Sequence, residues 1–143
     1  MPSSQPKTVL ILCTGNACRS PMAEVLWNDL GRGTWQAQSA GSRPAGFVHE
    51  MAVRALQELN LPTELLVSKS WSQFEDLPLD LVVTLSDHAR DSCPAWSEAR
   101  QTLHWPFPDP YYAEGNEEER MAAFREVRDQ MRQKIQSFLV SQD

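Results

Sequence analysis

Four aliphatic residues, Val9 to Leu12, run directly into Cys13-Thr14-Gly15-Asn16-Ala17-Cys18-Arg19-Ser20. Cysteine and arginine separated by five residues suit chemistry on a tetrahedral oxyanion. A guanidinium is a planar fork that can hold two of the oxygens. A glycine-containing turn feeding a helix start aims several backbone N–H groups into one hollow. The helix dipole adds partial positive charge there, and the same field favours a thiolate at the head of the loop. The stretch is therefore expected to bind an oxyanion and to place the Cys13 nucleophile beneath its central atom. The plainer reading makes Cys13 a packed residue at a strand end. The combination of strand, Cys-x5-Arg, Ser-Pro and helix favours the chemical one. Ser20 either caps the helix, hydrogen-bonds the thiolate, or does both. Gly15 or Asn16 is expected to take a left-handed backbone.

A second candidate is Asp109, in Pro106-Phe107-Pro108-Asp109-Pro110-Tyr111-Tyr112. A carboxyl group on a backbone restricted by prolines can protonate a departing alkoxide or phenoxide. On local sequence alone the ordinary reading, a turn-forming aspartate, is the favoured one. His49, His88 and His104 are too scattered for a metal motif. Trp35, Trp71, Trp96 and Trp105 read as core.

These groups need elements to position them. Val9–Leu12 reads as a buried strand, and Ser20-Pro21 as a cap followed by proline at the first helical position. Met22, Ala23, Leu26 and Leu30 supply that helix's apolar face, which ends at Gly31-Arg32-Gly33. Residues 35–40 read as a second strand. Ala52, Ala55, Leu56 and Leu59 mark a second helix, stopped near Asn60-Leu61-Pro62. Residues 70–74 read as a helical turn, 79–85 as a strand, 87–92 as a short helix and 102–105 as a last strand. Asn116 and Glu119 form a capping box for a final helix carrying Met121, Phe124, Val127, Met131, Ile135 and Phe138 at helical spacing. The β-α alternation predicts an α/β single-domain, three-layer sandwich, a parallel sheet with helices on both faces. Residues 1–143 are expected to form this one domain, with residues 1–7 flexible.

The 143 residues carry a formal net charge of -6, with a pI near 5.0. An acidic chain argues against nucleic acid as a partner, because phosphate backbones need a basic face. A local pocket can still be positive. No apolar run is long enough for a membrane span, and the polar start resembles no secretory leader. Three cysteines suit thiol chemistry in a reducing cytoplasm rather than a disulfide framework.

Residues 8–139 resemble the low-molecular-weight protein tyrosine phosphatase family, which includes the thioredoxin-type arsenate reductases. The resemblance is carried by the loop from Cys13 through Pro21-Met22-Ala23-Glu24 and by Asp109-Pro110-Tyr111-Tyr112. Ser39-Ala40-Gly41, Asp80-Leu81-Val82-Val83-Thr84 and His104-Trp105 look more like the arsenate-reductase branch. The resemblance implies a four-stranded parallel sheet, a cysteinyl-phosphate intermediate, and neither metal nor other cofactor. It also implies Cys13 as nucleophile, Arg19 as oxyanion clamp and Asp109 as general acid. Ser20 would support the thiolate and Asn16 would brace the loop. The oxyanion would sit among Thr14, Gly15, Asn16, Ala17, Cys18 and Ser20, with Tyr111 and Tyr112 lining the mouth.

Arsenate reduction in the three-cysteine branch uses a relay. Its second cysteine follows the Val-Val-Thr-Leu strand, where this chain has Ser86; its third matches Cys93. A serine cannot form a disulfide, so the internal relay is broken. Cys18 and Cys93 are candidate redox cysteines, the first as a reversible disulfide partner of Cys13; either also reads as a packing residue. The leading expectation is a phosphomonoester or protein tyrosine phosphatase. The alternative is an arsenate reductase fed by an external thiol or redox protein. A third is a non-catalytic oxyanion- or phosphoprotein-binding module.

Overall fold

The computed structural model describes residues 5–75, 77–92 and 99–142. Cys93, Pro94 and Trp96 lie outside the described residues. The elements in chain order are β1 (Lys7–Cys13), α1 (Arg19–Leu30), β2 (Trp35–Gly41), α2 (Glu50–Gln57), β3 (Leu81–Thr84), α3 (Asp87–Ser92), β4 (Thr102–His104) and α4 (Glu117–Ser141). Two 3₁₀ turns, Trp71–Phe74 and Pro110–Tyr112, punctuate the longer connections. The four strands form one parallel sheet in the order β2-β1-β3-β4.

β1 lies inside the sheet, and successive side chains of a strand point to opposite faces. Val9, Ile11 and Cys13 join the larger core with α1, α2 and α4. Leu10 and Leu12 join a smaller cluster with Phe74 and Ala89, beneath the 3₁₀ turn 71–74 and α3. Burial on both faces is why β1 reads as an unbroken aliphatic run. The chain leaves β1 toward β2 on one side and returns to β3 on the other. The carboxyl end of β1 therefore opens onto the topological switch point, where such sheets bind ligands.

α1 is buried from Arg19 to Trp27 without interruption. Trp27 is packed by Trp35, Trp105 and Phe138, with ring centroids 5.5, 5.8 and 5.6 Å away. Its indole Nε1 is buried with no hydrogen-bond partner among the described residues. α4 presents Met121, Phe124, Val127, Met131 and Ile135 to the core. Its buried Arg128 donates to the Ala55 carbonyl and to Glu58, each at 2.8 Å, tying α4 to the end of α2.

Several boundaries differ from expectation for local reasons. Lys7, placed in the flexible lead-in, already pairs with Trp35 and donates to Thr34 O at 2.9 Å. β3 is Leu81–Thr84 rather than 79–85; just ahead of it the Asp80 carboxylate takes the Thr8 N–H at 2.8 Å, while Asp80 N donates to Thr8 O at 3.0 Å. α2 ends before Leu59; Asn60 then adopts φ 60° and Leu61 N reaches back to Leu56 O, a left-handed helix stop. The capping box of α4 forms as expected, Asn116 Oδ1 accepting from Glu119 N at 2.8 Å and Glu119 Oε1 from Asn116 N at 3.2 Å. Asn116→Ala should cost about 1 kcal/mol of stability, seen as a lower midpoint in thermal or urea unfolding with the fold's circular dichroism preserved.

Candidate active site

Between the end of β1 and the start of α1 the chain makes one tight loop. The N-cap position of α1 is Cys18, not Ser20, and no side chain caps the helix. The first intrahelical bond is Met22 N to Cys18 O, at 3.2 Å. The N–H groups of Arg19 and Ser20 therefore have no intrahelical acceptor. Pro21 falls at the third helical position, where its missing N–H would have been an orphan too. The expectation that Ser20 opens the helix as a cap is thus corrected. Its hydroxyl is occupied elsewhere, 2.9 Å from Cys13 Sγ.

Asn16 is wholly buried, with φ 50°. It, rather than Gly15, takes the left-handed backbone. Its side-chain oxygen accepts from Lys69 N at 2.8 Å, which orients the amide. Nδ2 then donates to Ser20 Oγ at 2.7 Å and to Ser39 Oγ at 3.0 Å. Ser39 spends its own proton on Glu24 Oε1 at 2.7 Å, and the same carboxylate oxygen lies 3.7 Å from Lys69 Nζ. The remaining partner of the Ser20 hydroxyl is Cys13 Sγ. The Asn16 N–H also points at Cys13 Sγ, at 3.2 Å. The sulfur thus has two hydrogen-bonding neighbours, the Asn16 N–H and the Ser20 hydroxyl.

β2 reaches this loop because it ends in a glycine. A Cβ on Gly41 would stand 2.7 Å from Thr14 O and 3.0 Å from Asn16 Cβ. The segment after Gly41 then runs along the loop as a second wall. Ser42 N, Arg43 N and Ala45 N donate to Cys13 O, Thr14 O and Gly15 O at 3.3, 2.8 and 2.8 Å. Ser68 Oγ donates to Gly15 O at 3.1 Å, and His49 N to Ala17 O at 2.9 Å. His49 also caps α2, its Nδ1 accepting from Met51 N. Burial, with a further push from Arg120, holds its imidazole below the usual histidine range.

The loop and this wall enclose a hollow of about 430 Å³ with Asp109, Tyr111 and Tyr112 on the far side. Arg19 stands between the two sides. It donates to Phe107 O at 3.1 Å and to Asp109 Oδ2 at 3.2 Å. Two of its five N–H groups are so used, leaving others for an anion. Asp109 Oδ1 accepts from Tyr111 N at 3.0 Å, so this aspartate both caps the 110–112 turn and faces the hollow. Tyr112 is the more exposed of the tyrosines, 77% against 41% for Tyr111. Apolar ring surface is therefore open beside the hollow.

Cys18 shares the hollow as a free, buried cysteine. Burial pushes its thiol well up, Asp109 and Cys13 add to the shift, and Arg19 opposes it. Cys18 is thus a protonated neighbour beside Cys13. Ser86 Oγ lies 3.0 Å from Thr14 Oγ1 and accepts from Ala89 N at 3.1 Å. It is buried, capping α3 against the loop. Of the other histidines, His88 Nδ1 meets Ser42 Oγ at 3.0 Å, and His104 bridges Thr84 and Asp87 at 2.7 and 2.9 Å.

The roles of Glu24, Ser39, Arg43, Ser68 and Lys69, and of Ser86 as a cap, are not evident from sequence. Ser39 and Glu24 lie inside the motifs that carry the family resemblance. Arg43, Ser68 and Lys69 carry no local pattern, since the partners that hold them on the loop lie up to 53 residues away.

A family model described as low molecular weight phosphotyrosine protein phosphatase matches residues 8–142. An arsenate reductase of Halalkalibacterium halodurans is 41% identical over 132 residues, covering 92% of this chain and 94% of that one. The arsenate reductase of Bacillus subtilis is 37% identical over 136 residues, with the same coverage. Among solved structures, an arsenate reductase in the phosphate-binding state superposes with a TM-score of 0.80 at 25% identity, over 94% of this chain and 98% of that one. A low-molecular-weight protein tyrosine phosphatase from T. tengcongensis gives 0.78 at 23% identity, over 94% and 99%, and shows the shared fold.

The close approach at Gly41 generates a test. Gly41→Ala forces Thr14 O or β2 to move, an overpacking that costs about 1–3 kcal/mol. Thermal unfolding should show a lower midpoint, and titration with tungstate or phosphate should show weaker binding. Wild-type values for both would mean that β2 does not press on the loop.

Proposed function

Because the chain belongs to the low molecular weight phosphotyrosine protein phosphatase family, we propose that it is a cysteine-dependent phosphomonoesterase acting on aryl phosphates of the phosphotyrosine type. The observation that carries this reading is Asp109, held across the hollow from Cys13 by the Arg19 clamp and flanked by two tyrosines. In this reading the phosphoryl dianion enters the hollow and exchanges its oxygens for Asp109 on Arg19. The Cys13 thiolate attacks phosphorus, the P–O bond to the leaving group breaks, and protonated Asp109 supplies the proton to that oxygen. Water then attacks the cysteinyl phosphate, Asp109 takes up its proton, phosphate leaves and the thiolate returns. Exposed rings of Tyr111 and Tyr112 suit an aromatic leaving group.

The second reading is arsenate reduction, and the names of the curated relatives support it more directly than they support the first. Chemistry on a tetrahedral oxyanion is common to both. Cys13 would attack arsenic and expel water. An external thiol would then attack Cys13 Sγ, forming a mixed disulfide while the S–As electron pair passes to arsenic as arsenite. A second thiol would resolve the disulfide. Ser86 puts a hydroxyl where the internal relay needs sulfur, so the electrons must come from outside. Cys18, buried and protonated, would serve as a slow partner for an oxidised Cys13. Cys93 stays a candidate resolving thiol by its sequence position.

The readings separate on one comparison. Turnover of para-nitrophenyl phosphate without any reductant supports the first, and arsenite production dependent on glutathione and glutaredoxin supports the second. Cys13→Ser should abolish either while retaining oxyanion binding. Asp109→Asn should slow poor leaving groups by roughly 10²–10⁴-fold, the usual worth of general acid catalysis, and good leaving groups less. Equal losses across a leaving-group series would remove Asp109 from the acid's role.

A further inference from the structure

The wall opposite the tyrosines carries a cation that the chemistry above does not use. Arg43 is exposed and lines the same hollow as Cys13, Arg19 and Asp109. Its backbone is not free to drift. Arg43 N donates to Thr14 O at 2.8 Å, between the bonds of Ser42 N to Cys13 O and Ala45 N to Gly15 O. A few residues further on, Gly46 N donates to Ser68 Oγ at 3.2 Å. The arginine is thereby carried at a fixed place beside the nucleophile's loop.

Its charge is uncommitted. The other cations at this site are paired, Arg19 with Asp109 and Lys69 with Glu24. Arg43 makes no ion pair among the described residues. On a chain of net charge -6, such a cation at the rim is a local exception to the field that an acidic partner meets. Arginine's stem spans a distance comparable to one or two residues of an extended peptide. A peptide whose phosphorylated side chain fills the hollow would thus bring a neighbouring residue within its reach.

We propose that Arg43 is a specificity-determining residue that selects phosphorylated side chains flanked by a carboxylate residue, Asp or Glu within two positions in sequence. This rests on the phosphatase reading. It names the substrate class as acidic phosphotyrosine segments rather than aryl phosphates at large. The contribution is that of a solvent-exposed ion pair, about three- to fivefold in kcat/KM at low ionic strength. It falls as salt screens the pair.

The test compares two phosphotyrosine peptides of one length, one with Glu at both neighbouring positions and one with Gln there. Wild type should favour the acidic peptide about three- to fivefold in kcat/KM, and sodium chloride at about 0.5 M should remove the preference. Arg43→Gln should bring the ratio to about one, Arg43→Lys should keep most of it, and Arg43→Glu should invert it. A wild-type ratio of one, or a ratio that survives Arg43→Gln, would overturn the proposal. Para-nitrophenyl phosphate, which has no carboxylate, reports separately on the underlying activity. If it is not turned over, the phosphatase reading fails, and the selectivity is read instead as peptide binding to Cys13→Ser by fluorescence anisotropy. The same ratio in binding, again lost with Arg43→Gln, supports the role of Arg43; equal affinities overturn it.

Discussion

Asn16 is buried with a left-handed backbone, and each polar atom of its side chain has a partner from a different part of the chain. Its oxygen meets the backbone at Lys69; its nitrogen meets Ser20 on α1 and Ser39 on β2. The shape of the loop, the end of β2 and the segment near residue 69 are thus referred to one amide. A buried amide left unpaired costs about 1–3 kcal/mol, so these bonds hold one another in place. Once Lys69 orients the amide, both serine oxygens accept from it, and the Ser20 hydroxyl stands between the amide and Cys13. Asparagine is among the few residues that take this backbone region readily, so one position supplies both the turn and the polarity.

The rest of the site is arranged around a hollow lined from both walls. α1 begins without a side-chain cap, leaving the N–H groups of its first residues without an intrahelical acceptor. Arg19 leaves the helix to reach the 106–112 loop, so its guanidinium and the Asp109 carboxylate are in contact. This contact joins the loop carrying Asp109 and the tyrosines to the Cys13 loop, although Arg19 and Asp109 are 90 residues apart in sequence.

Ser86 stands at the position where the family resemblance implies a relay cysteine. Its hydroxyl joins Thr14 of the loop to the first turn of α3. A hydroxyl caps a helix better than a thiol does, since sulfur is the weaker hydrogen-bond acceptor. The same atom that cannot pass electrons therefore fastens α3 against the loop. Cys18 does not replace it as a ready nucleophile, because burial and the nearby negative charge of Asp109 favour its protonated form.

Features encoded by neighbours along the chain are legible in the amino-acid sequence. The strand running into Cys13, the alternation of strands and helices, the Asn116–Glu119 capping box and the spacing of apolar residues in α4 depend on local geometry, and all of them are present in the fold. Membership of the family is legible from two motifs, and the matched family model supports it over residues 8–142. Helix α1 is harder to delimit because it is buried on all sides over Arg19–Trp27, which erases the one-sided pattern that marks a helix. Ser20 reads as a cap because Ser-Pro has that local meaning. Only the fold brings Cys13 and Asn16 beside it and diverts its hydroxyl. Pairings such as Arg19 with Asp109, Asn16 with Lys69 and Ser86 with Thr14 are decided by tertiary structure alone. They join residues 53 to 90 positions apart, and no local propensity records which side chains a parallel sheet will bring to the same end of its strands.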